Sequence, residues 1–303
     1  MTKVLITGSK GQLGNEIRQW TNSFPQFSFI FTDIEELDIT KTNDVSAFIE
    51  KHRPEFIINT AGYTAVDKAE DEKEQAMLVN ALAVKNLVDA AAQTNACFIH
   101  ISTDYVFDGK KTKPYLEDDA VNPISVYGET KLQGENIVLS YKNGIVVRTA
   151  WLYSSFGNNF VKTMLRLSTE KSELRVVNDQ IGTPTYAADL AMALLQMINK
   201  IATNSQNFVG GIFHYANEGV CTWFDFAQKI MDFGNRLTVV KPCTTADYPT
   251  KATRPPYSVL SKEKIKQAYG VNIPTWENAL KRCLKVLNEK SQAKKNNGKT
   301  ISK

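Results

Sequence analysis

Through the first half of the chain, short apolar runs alternate with longer segments of helical spacing. Residues 3–7, 27–32, 55–60, 96–102 and 144–148 are the apolar runs. They are rich in Val, Ile and Phe and too short for buried helices, so they read as strands. Between them a helix begins near Gln12, residues 44–52 carry apolar side chains at helical intervals, residues 70–94 contain a long alanine-rich helix, and another helix precedes the fifth run. Strands that are apolar throughout are covered on both faces, as in a parallel sheet with helices above and below it. The expectation is an α/β protein built on a doubly wound parallel sheet. Such sheets hold ligands at the carboxyl ends of their strands, where Asp33, Ala61, Thr103 and Thr149 fall.

After about residue 150 the pattern loosens. Short strands are expected at 174–177 and 211–214, and helices at 187–198, 222–233 and 275–287, joined by loops containing Pro and Asn. We read 1–150 as a nucleotide-binding core and 151–288 as a smaller mixed α/β lobe closing over the sheet edge. Some segments of that lobe are free to return to the core. Residues 289–303 read as a disordered basic tail.

Composition removes several alternatives. At 303 residues, with 43% hydrophobic and 22% charged side chains, the chain resembles an ordinary globular enzyme and can bury a large core. The net charge of +4 is local: Lys294, Lys295, Lys299 and Lys303 lie in the last 13 residues without an acid, leaving 32 basic against 32 acidic residues elsewhere. No basic stripe remains for nucleic acid. No apolar run approaches the roughly 20 residues of a membrane span, and the first strand begins too early for a signal peptide, so the expectation is a cytoplasmic protein. Cysteines 97, 221, 243 and 283 and histidines 52, 100 and 214 are scattered, which indicates neither a disulfide framework nor a zinc site.

Three constellations carry candidate chemistry. The first strand runs into Gly8-x-x-Gly11-x-x-Gly14 and then a helix, and Asp33 ends the next strand 19 residues after Gly14. Glycines there admit a dinucleotide pyrophosphate, and an acid at that spacing suits the adenosine ribose; the plainer explanation is a steric turn. The fourth strand ends in Ser102-Thr103-Asp104, hydroxyls that either face a bound carbonyl or cap the strand. Tyr127 and Lys131 stand one helical turn apart, and of the 11 tyrosines only Tyr127 has a lysine four residues on. A cation beside a phenol eases loss of its proton and makes it a candidate acid or base, although a solvated helix pair has the same spacing. Their joint occurrence in one nucleotide-type fold favours chemistry over the plainer explanations.

These motifs identify the chain as a member of the extended short-chain dehydrogenase/reductase superfamily. Within it the chain resembles the dTDP-4-dehydrorhamnose reductase family. The resemblance rests on Gly8 to Gly14, Asn59 to Glu70, Ser102 to Gly109, Tyr127 to Lys131, Arg148 to Tyr153, Asp179 to Thr185 and Arg254 to Leu260. It implies a Rossmann-type sheet with a smaller C-terminal substrate lobe, and reduction of the C4 ketone of a dTDP-6-deoxyhexulose by NADPH or NADH. It further implies that Gly8, Gly11, Gln12, Leu13 and Gly14 meet the pyrophosphate, Asp33 the ribose, Asp38 and Ile39 the adenine side, and that Ala61, Gly62 and Tyr63 line the cofactor path. Thr103 and Tyr127 would flank the carbonyl, Lys131 would hold the nicotinamide ribose, and Asp104 and Trp151 would contact the sugar. Some relatives form homodimers around magnesium held by clustered carboxylates. Glu16 and Asp189 fall in the corresponding regions, but no full ligand set is readable, so a homodimer stays open and the metal is left out. Other nucleotide-sugar reductases, epimerases and dehydratases share the glycine loop and the Tyr/Lys pair; a dehydratase would carry Glu where Tyr105 stands. A non-catalytic, cofactor-binding regulatory subunit would be expected to lose part of the Thr/Tyr/Lys set, all of which is present.

Overall fold

The computed structural model describes the backbone through residue 300 and side chains through residue 293. Five strands follow the apolar runs: β1 (Thr2–Thr7), β2 (Phe27–Phe31), β3 (Phe56–Asn59), β4 (Cys97–Thr103) and β5 (Gly144–Thr149). All pair in parallel. A sixth strand, Gly211–His214, pairs in parallel with β5 and completes the order sixth–β5–β4–β3–β1–β2. The chain leaves β1 toward β2 and then crosses back to β3, so the order reverses beside β1. A crevice at the carboxyl ends of β1 and β3 is the consequence.

The strands show why continuous apolar runs were needed. Val4, Ile6, Phe56, Ile58, Ile99, Ile145 and Val147 pack on one face. Their neighbours Leu5, Ile57, Phe98 and Val146 pack on the other. Side chains alternate across a strand, and helices cover both faces. Helix α1 (Gln12–Gln19) and the helix Ala187–Thr203 lie together on the first face. Helix α2 (Thr42–His52) and the helix Ala83–Thr94 pack on each other over the second.

After β5 the chain builds a further apolar cluster. It gathers the helices Phe160–Glu170, Trp223–Phe233 and Trp276–Thr300 around Phe226, Trp276 and Tyr153. The expected strand at 174–177 exists as Glu173–Val177 and pairs in parallel with Val239–Cys243. The sequence between these pieces also supplies the sixth strand and the helix Ala187–Thr203 to the core. The tail expected to be disordered is instead helical in the described residues, because Trp276–Thr300 runs through it. Lys, Glu, Gln and Ala are good helix formers, and Lys290 donates to Ser155 Oγ at 2.9 Å. Residues 301–303 of that expectation lie outside the described residues.

The helix Val126–Leu139 is joined to the sheet by a buried ion pair. Arg148 on β5 donates from Nε and Nη2 to Glu135 at 2.9 and 2.6 Å. The side chains are 2% and 0% exposed, and the guanidinium lies 5.0 Å from the ring centroid of Phe107. Removing one partner leaves a buried charge alone. Arg148→Met should therefore lower unfolding stability by about 3–5 kcal/mol, with much of the loss recovered by adding Glu135→Leu. Denaturant titration of the two variants tests this, and equal loss in both would contradict it.

Candidate active site

The loop after β1 is shaped for a close ligand. Gly8 has φ +66°, and a side chain there would bring a Cβ within 2.6 Å of the Ala61 backbone. A Cβ on Gly14 would lie 2.5 Å from Ser9 Cα. Helix α1 begins after Gly11 with no side chain bonded to its first N–H groups, which leaves them for an anion. A cleft of about 510 Å³ opens here, lined by Gly8, Gly11, Asp33, Asp38, Ile39, Ala61 and Gly62 among others. The residues therefore fit a dinucleotide: a glycine cradle, uncapped N–H groups and an acid at the far strand end.

The structure also sorts the sequence-predicted set. Leu13 is buried in the core, so only its backbone is available to a ligand. Gln12 accepts from Asn159 Nδ2 at 2.9 Å and ties the loop to the later part of the chain. Asp33 accepts the N–H of Lys10 at 2.8 Å and of Ile34 at 2.9 Å. Lys10 Nζ turns to Glu35 at 2.6 Å. Tyr63 lies outside the cleft. Its backbone N–H donates to Asn80 Oδ1 at 2.8 Å and its hydroxyl to Glu72 at 2.6 Å, and that carboxylate raises the phenol to about 12. Ile34, Gln75, Leu78 and Val79 line the cleft as well. Sequence reasoning missed them because a turn Ile and ordinary helix residues such as Gln75, Leu78 and Val79 carry no mark of facing a ligand.

The end of β4 and the start of the helix Val126–Leu139 bring the hydroxyls together. Ser125 caps this helix by accepting from Gly128 N–H at 3.2 Å, and Glu70 accepts from Val126 N–H at 3.0 Å. Any side chain at residue 128 would put a Cβ 2.3 Å from the Tyr105 carbonyl. Glycine there lets the helix lie against the turn after β4. The rings of Tyr105 and Tyr127 meet edge to face, 5.4 Å apart. Burial pushes the Tyr127 phenol up to about 12, a hydrogen bond with Thr103 pulls it down, and Asp104 raises it further.

Lys131 behaves differently from the sequence expectation, in which it eases the Tyr127 proton away. Its Nζ donates to the Ile101 carbonyl at 2.6 Å and contacts His100 Nε2 at 3.1 Å. It is not among the influences that set Tyr127, where burial dominates. Burial brings Lys131 itself down to about 8. The pair shares a helix face, yet the lysine is committed to β4.

Asp104 is buried, accepts from Thr103 Oγ1 at 3.1 Å and lies near Ser258. Trp151 adopts φ +48° and stacks on Trp223, centroids 3.7 Å apart and planes 11° apart. A Cβ on Gly182 would come within 2.6 Å of the Trp151 ring. Trp151 thus joins two apolar clusters. Its partner Trp223 lines a second cleft of about 720 Å³ with Phe160, Gln180, Tyr248 and Arg254. Arg254 donates to Asp67 at 3.0 and 2.7 Å, which ties the loop after β3 to this cleft.

The carboxylates in the region implied for magnesium do not suit it. Asp189 receives two bonds from Arg282, both 2.7 Å, and one from Asn217 at 2.8 Å. Glu16 accepts from Ser154 at 2.5 Å, and Lys290 lies near enough to oppose the upward push of burial on its carboxyl. Cations of the chain already face both acids, and no group of three or more His, Cys, Asp or Glu suited to a metal exists among the described residues.

Burial raises the Asp104 carboxyl from 3.8 to about 6. The folded state therefore binds its proton more tightly than the unfolded state, and stability falls as pH rises from about 4 to about 6. Asp104→Asn should remove that dependence, and above the window it should gain stability on the order of 2–3 kcal/mol. Thermal melts across this range check the sign; a variant less stable than the parent at neutral pH and equal to it in acid would refute it.

Residues 1–289 match the family model described as RmlD substrate binding domain. A dTDP-4-dehydrorhamnose reductase of Aggregatibacter actinomycetemcomitans is 42% identical over 288 residues, covering 93% of this chain and 98% of that one. The crystal structure of a dTDP-4-dehydrorhamnose reductase from Clostridium acetobutylicum superposes with a TM-score of 0.89 at 43% identity, covering 95% of this chain and all of that one. A dTDP-4-dehydrorhamnose reductase of Bacillus anthracis, solved in complex with NADP, gives 0.87 at 39% identity, covering 93% of this chain and 99% of that one. With its parallel sheet, glycine cradle and Thr/Tyr/Lys set, the chain belongs to the RmlD substrate binding domain family of extended short-chain dehydrogenase/reductase enzymes.

Proposed function

We propose that this protein is an NAD(P)H-dependent oxidoreductase that reduces the C4 ketone of dTDP-4-dehydrorhamnose to dTDP-L-rhamnose. The observation that carries the chemistry is the state of Tyr127. Burial holds its phenol at about 12, so it is protonated at neutral pH. A reduction needs a group that starts with its proton and gives it up when an oxygen gains charge.

A reduced nicotinamide, when bound in this cleft, would supply the hydride to the carbonyl carbon. Gly8, Gly11 and Gly14 with the first N–H groups of α1 would hold the pyrophosphate, and Asp33, Asp38 and Ile39 would hold the adenosine end. Thr103 would turn its one hydroxyl hydrogen from Asp104 to the carbonyl oxygen as negative charge builds, and Tyr127 would transfer its phenolic proton to the same oxygen. Lys131 holds the nicotinamide ribose from the Gly62 side of the cleft. Asp104 orients the sugar through Thr103 and its own carboxyl, and the Trp151–Trp223 stack forms the wall of the sugar site. The neighbouring cleft, with Tyr248, Trp223 and Arg254, offers aromatic faces and a cation to the thymidine diphosphate. Residues 1–150 would thus carry the cofactor and most of 151–288 the substrate. No described helix is long and apolar enough to cross a membrane.

Two measurements test this reading. Tyr127→Phe keeps the ring and removes the proton donor, so turnover should fall by at least ~10²-fold with little change in cofactor affinity; near-normal turnover excludes Tyr127 as the donor. For the cofactor, Asp33 opposes a 2′-phosphate by charge, while Lys10 would offset it by turning from Glu35, which it faces at 2.6 Å in the free protein. Initial rates should show use of both NADH and NADPH, and Asp33→Asn should move the preference toward NADPH by roughly tenfold, the effect of about 1.4 kcal/mol. Absolute rejection of NADH by the parent protein would remove Asp33 from the ribose site.

A further inference from the structure

A chain of buried polar contacts runs behind the cofactor cleft and ends on Lys131, and its hydrogens can be counted. The Ala61 backbone N–H donates to Asn59 Oδ1 at 3.1 Å, and Thr7 Oγ1 donates to the same oxygen at 2.7 Å. A backbone amide can only donate, so the oxygen of the Asn59 side chain is fixed on that side and its NH₂ on the other. That NH₂ lies 3.0 Å from His100 Nδ1. Nδ1 must accept, and therefore carries no hydrogen. Asn59 and His100 are both 0% exposed, and no water is needed to complete the count.

A neutral imidazole then has its one hydrogen on Nε2, and Nε2 faces Lys131 Nζ at 3.1 Å. An imidazolium is excluded because its Nδ1–H would oppose the Asn59 NH₂. Burial also holds His100 well below its ordinary value. An ammonium has three hydrogens and no lone pair, so it cannot receive Nε2–H. A neutral amine can, while giving one of its own hydrogens to the Ile101 carbonyl. We propose that Asn59 locks His100 as the Nε2–H tautomer and that His100 thereby holds Lys131 as a neutral amine in the cofactor-free protein.

The charged surroundings of Lys131 leave this state available. On its own helix Glu135 favours the ammonium, but Arg148 neutralises that carboxylate in the buried pair, and Tyr127 is an uncharged phenol. From β4 it meets His100 and the Ile101 carbonyl. From the loop after β3 it meets Gly62, whose Cβ position lies 3.9 Å from Nζ, and the Asn80 side chain stands beside the same position. Burial by itself lowers the lysine to about 8, and the Nε2–H of His100, which no ammonium can accept, takes it below neutral. His100 is on this account a positioning residue, reaching the cofactor only through Lys131. Binding that engages Lys131 as an ammonium must then take a proton from solvent. This consequence rests on the assignment of Lys131 to the nicotinamide ribose; the tautomer itself does not.

The test uses the full-length, cofactor-free protein with isotope-labelled histidine and lysine, read by NMR. The chain has only three histidines, and His100→Phe assigns the signal. From about pH 6 to about pH 9, His100 should show a bare Nδ1 and a protonated Nε2. His214, whose Nε2 faces Arg148 Nη1 at 3.4 Å, should show the opposite tautomer. The Lys131 side chain should titrate well below ordinary lysine, and in folded His100→Phe its midpoint should rise by about one pH unit. NADPH binding measured by calorimetry in buffers of different ionisation heat should show uptake of about one proton above that midpoint. A protonated Nδ1, an imidazolium, or a Lys131 ammonium persisting into the ordinary lysine range overturns the proposal. If His100→Phe does not fold, the native spectra decide alone. Neither spectrum depends on turnover: a protein with these spectra that reduces no sugar nucleotide fails only the reductase reading, and an active reductase with the wrong tautomer fails only this one.

Discussion

The buried pair of Glu135 and Arg148 is the interaction on which the rest of the site depends. It fastens the helix that carries Tyr127 and Lys131 to β5, two to three turns from the helix start. A buried ion pair is weak evidence for net stability, because desolvation offsets most of the attraction. Its value here is geometric. Two parallel hydrogen bonds from a planar guanidinium fix both distance and rotation of the helix, and a rotation of a few degrees there would carry the Tyr127 hydroxyl away from Thr103.

Burial then sets the chemistry. Tyr127, Lys131, His100 and Asp104 are all drawn toward their uncharged forms by the same cause, removal from water. The result is a site with a protonated phenol, a lysine of low basicity and a carboxyl that ionises late. Above about pH 6 the Asp104 carboxylate is charged beside the carbonyl position, while the Tyr127 phenol keeps its proton. An oxygen that gains charge there finds hydroxyl donors in a poorly solvating environment, where each donor has more effect than it would in water.

The region around Glu16 and Asp189 shows the same economy of charge by another route. Asp189 is clasped by Arg282 and Glu16 faces Lys290. Both cations come from the last helix: Arg282 from the stretch expected to be helical, and Lys290 from the stretch expected to be a loose tail. Each of these acids thus has its cation from the chain itself.

Much of the fold was written in the sequence for a simple reason: strands covered on both faces must be apolar at every position, and runs such as 55–60 and 144–148 have no other stable environment. The glycine loop was legible because close backbone approach admits only one residue type, as Gly8 against Ala61 shows. Spacing also placed Tyr127 and Lys131 on one helical face. What the sequence could not carry was the partner of each side chain. Lys131 turned to His100 and Ile101 across the sheet, Trp151 to Trp223, Leu13 into the core, and residues 211–214 to the edge of the main sheet. Residues 289–300 joined a helix on local propensity, which composition suggested only as charge. Apart from that helix, each of these was decided by contacts between segments distant along the chain, because burial and hydrogen-bond geometry exist only once the segments meet.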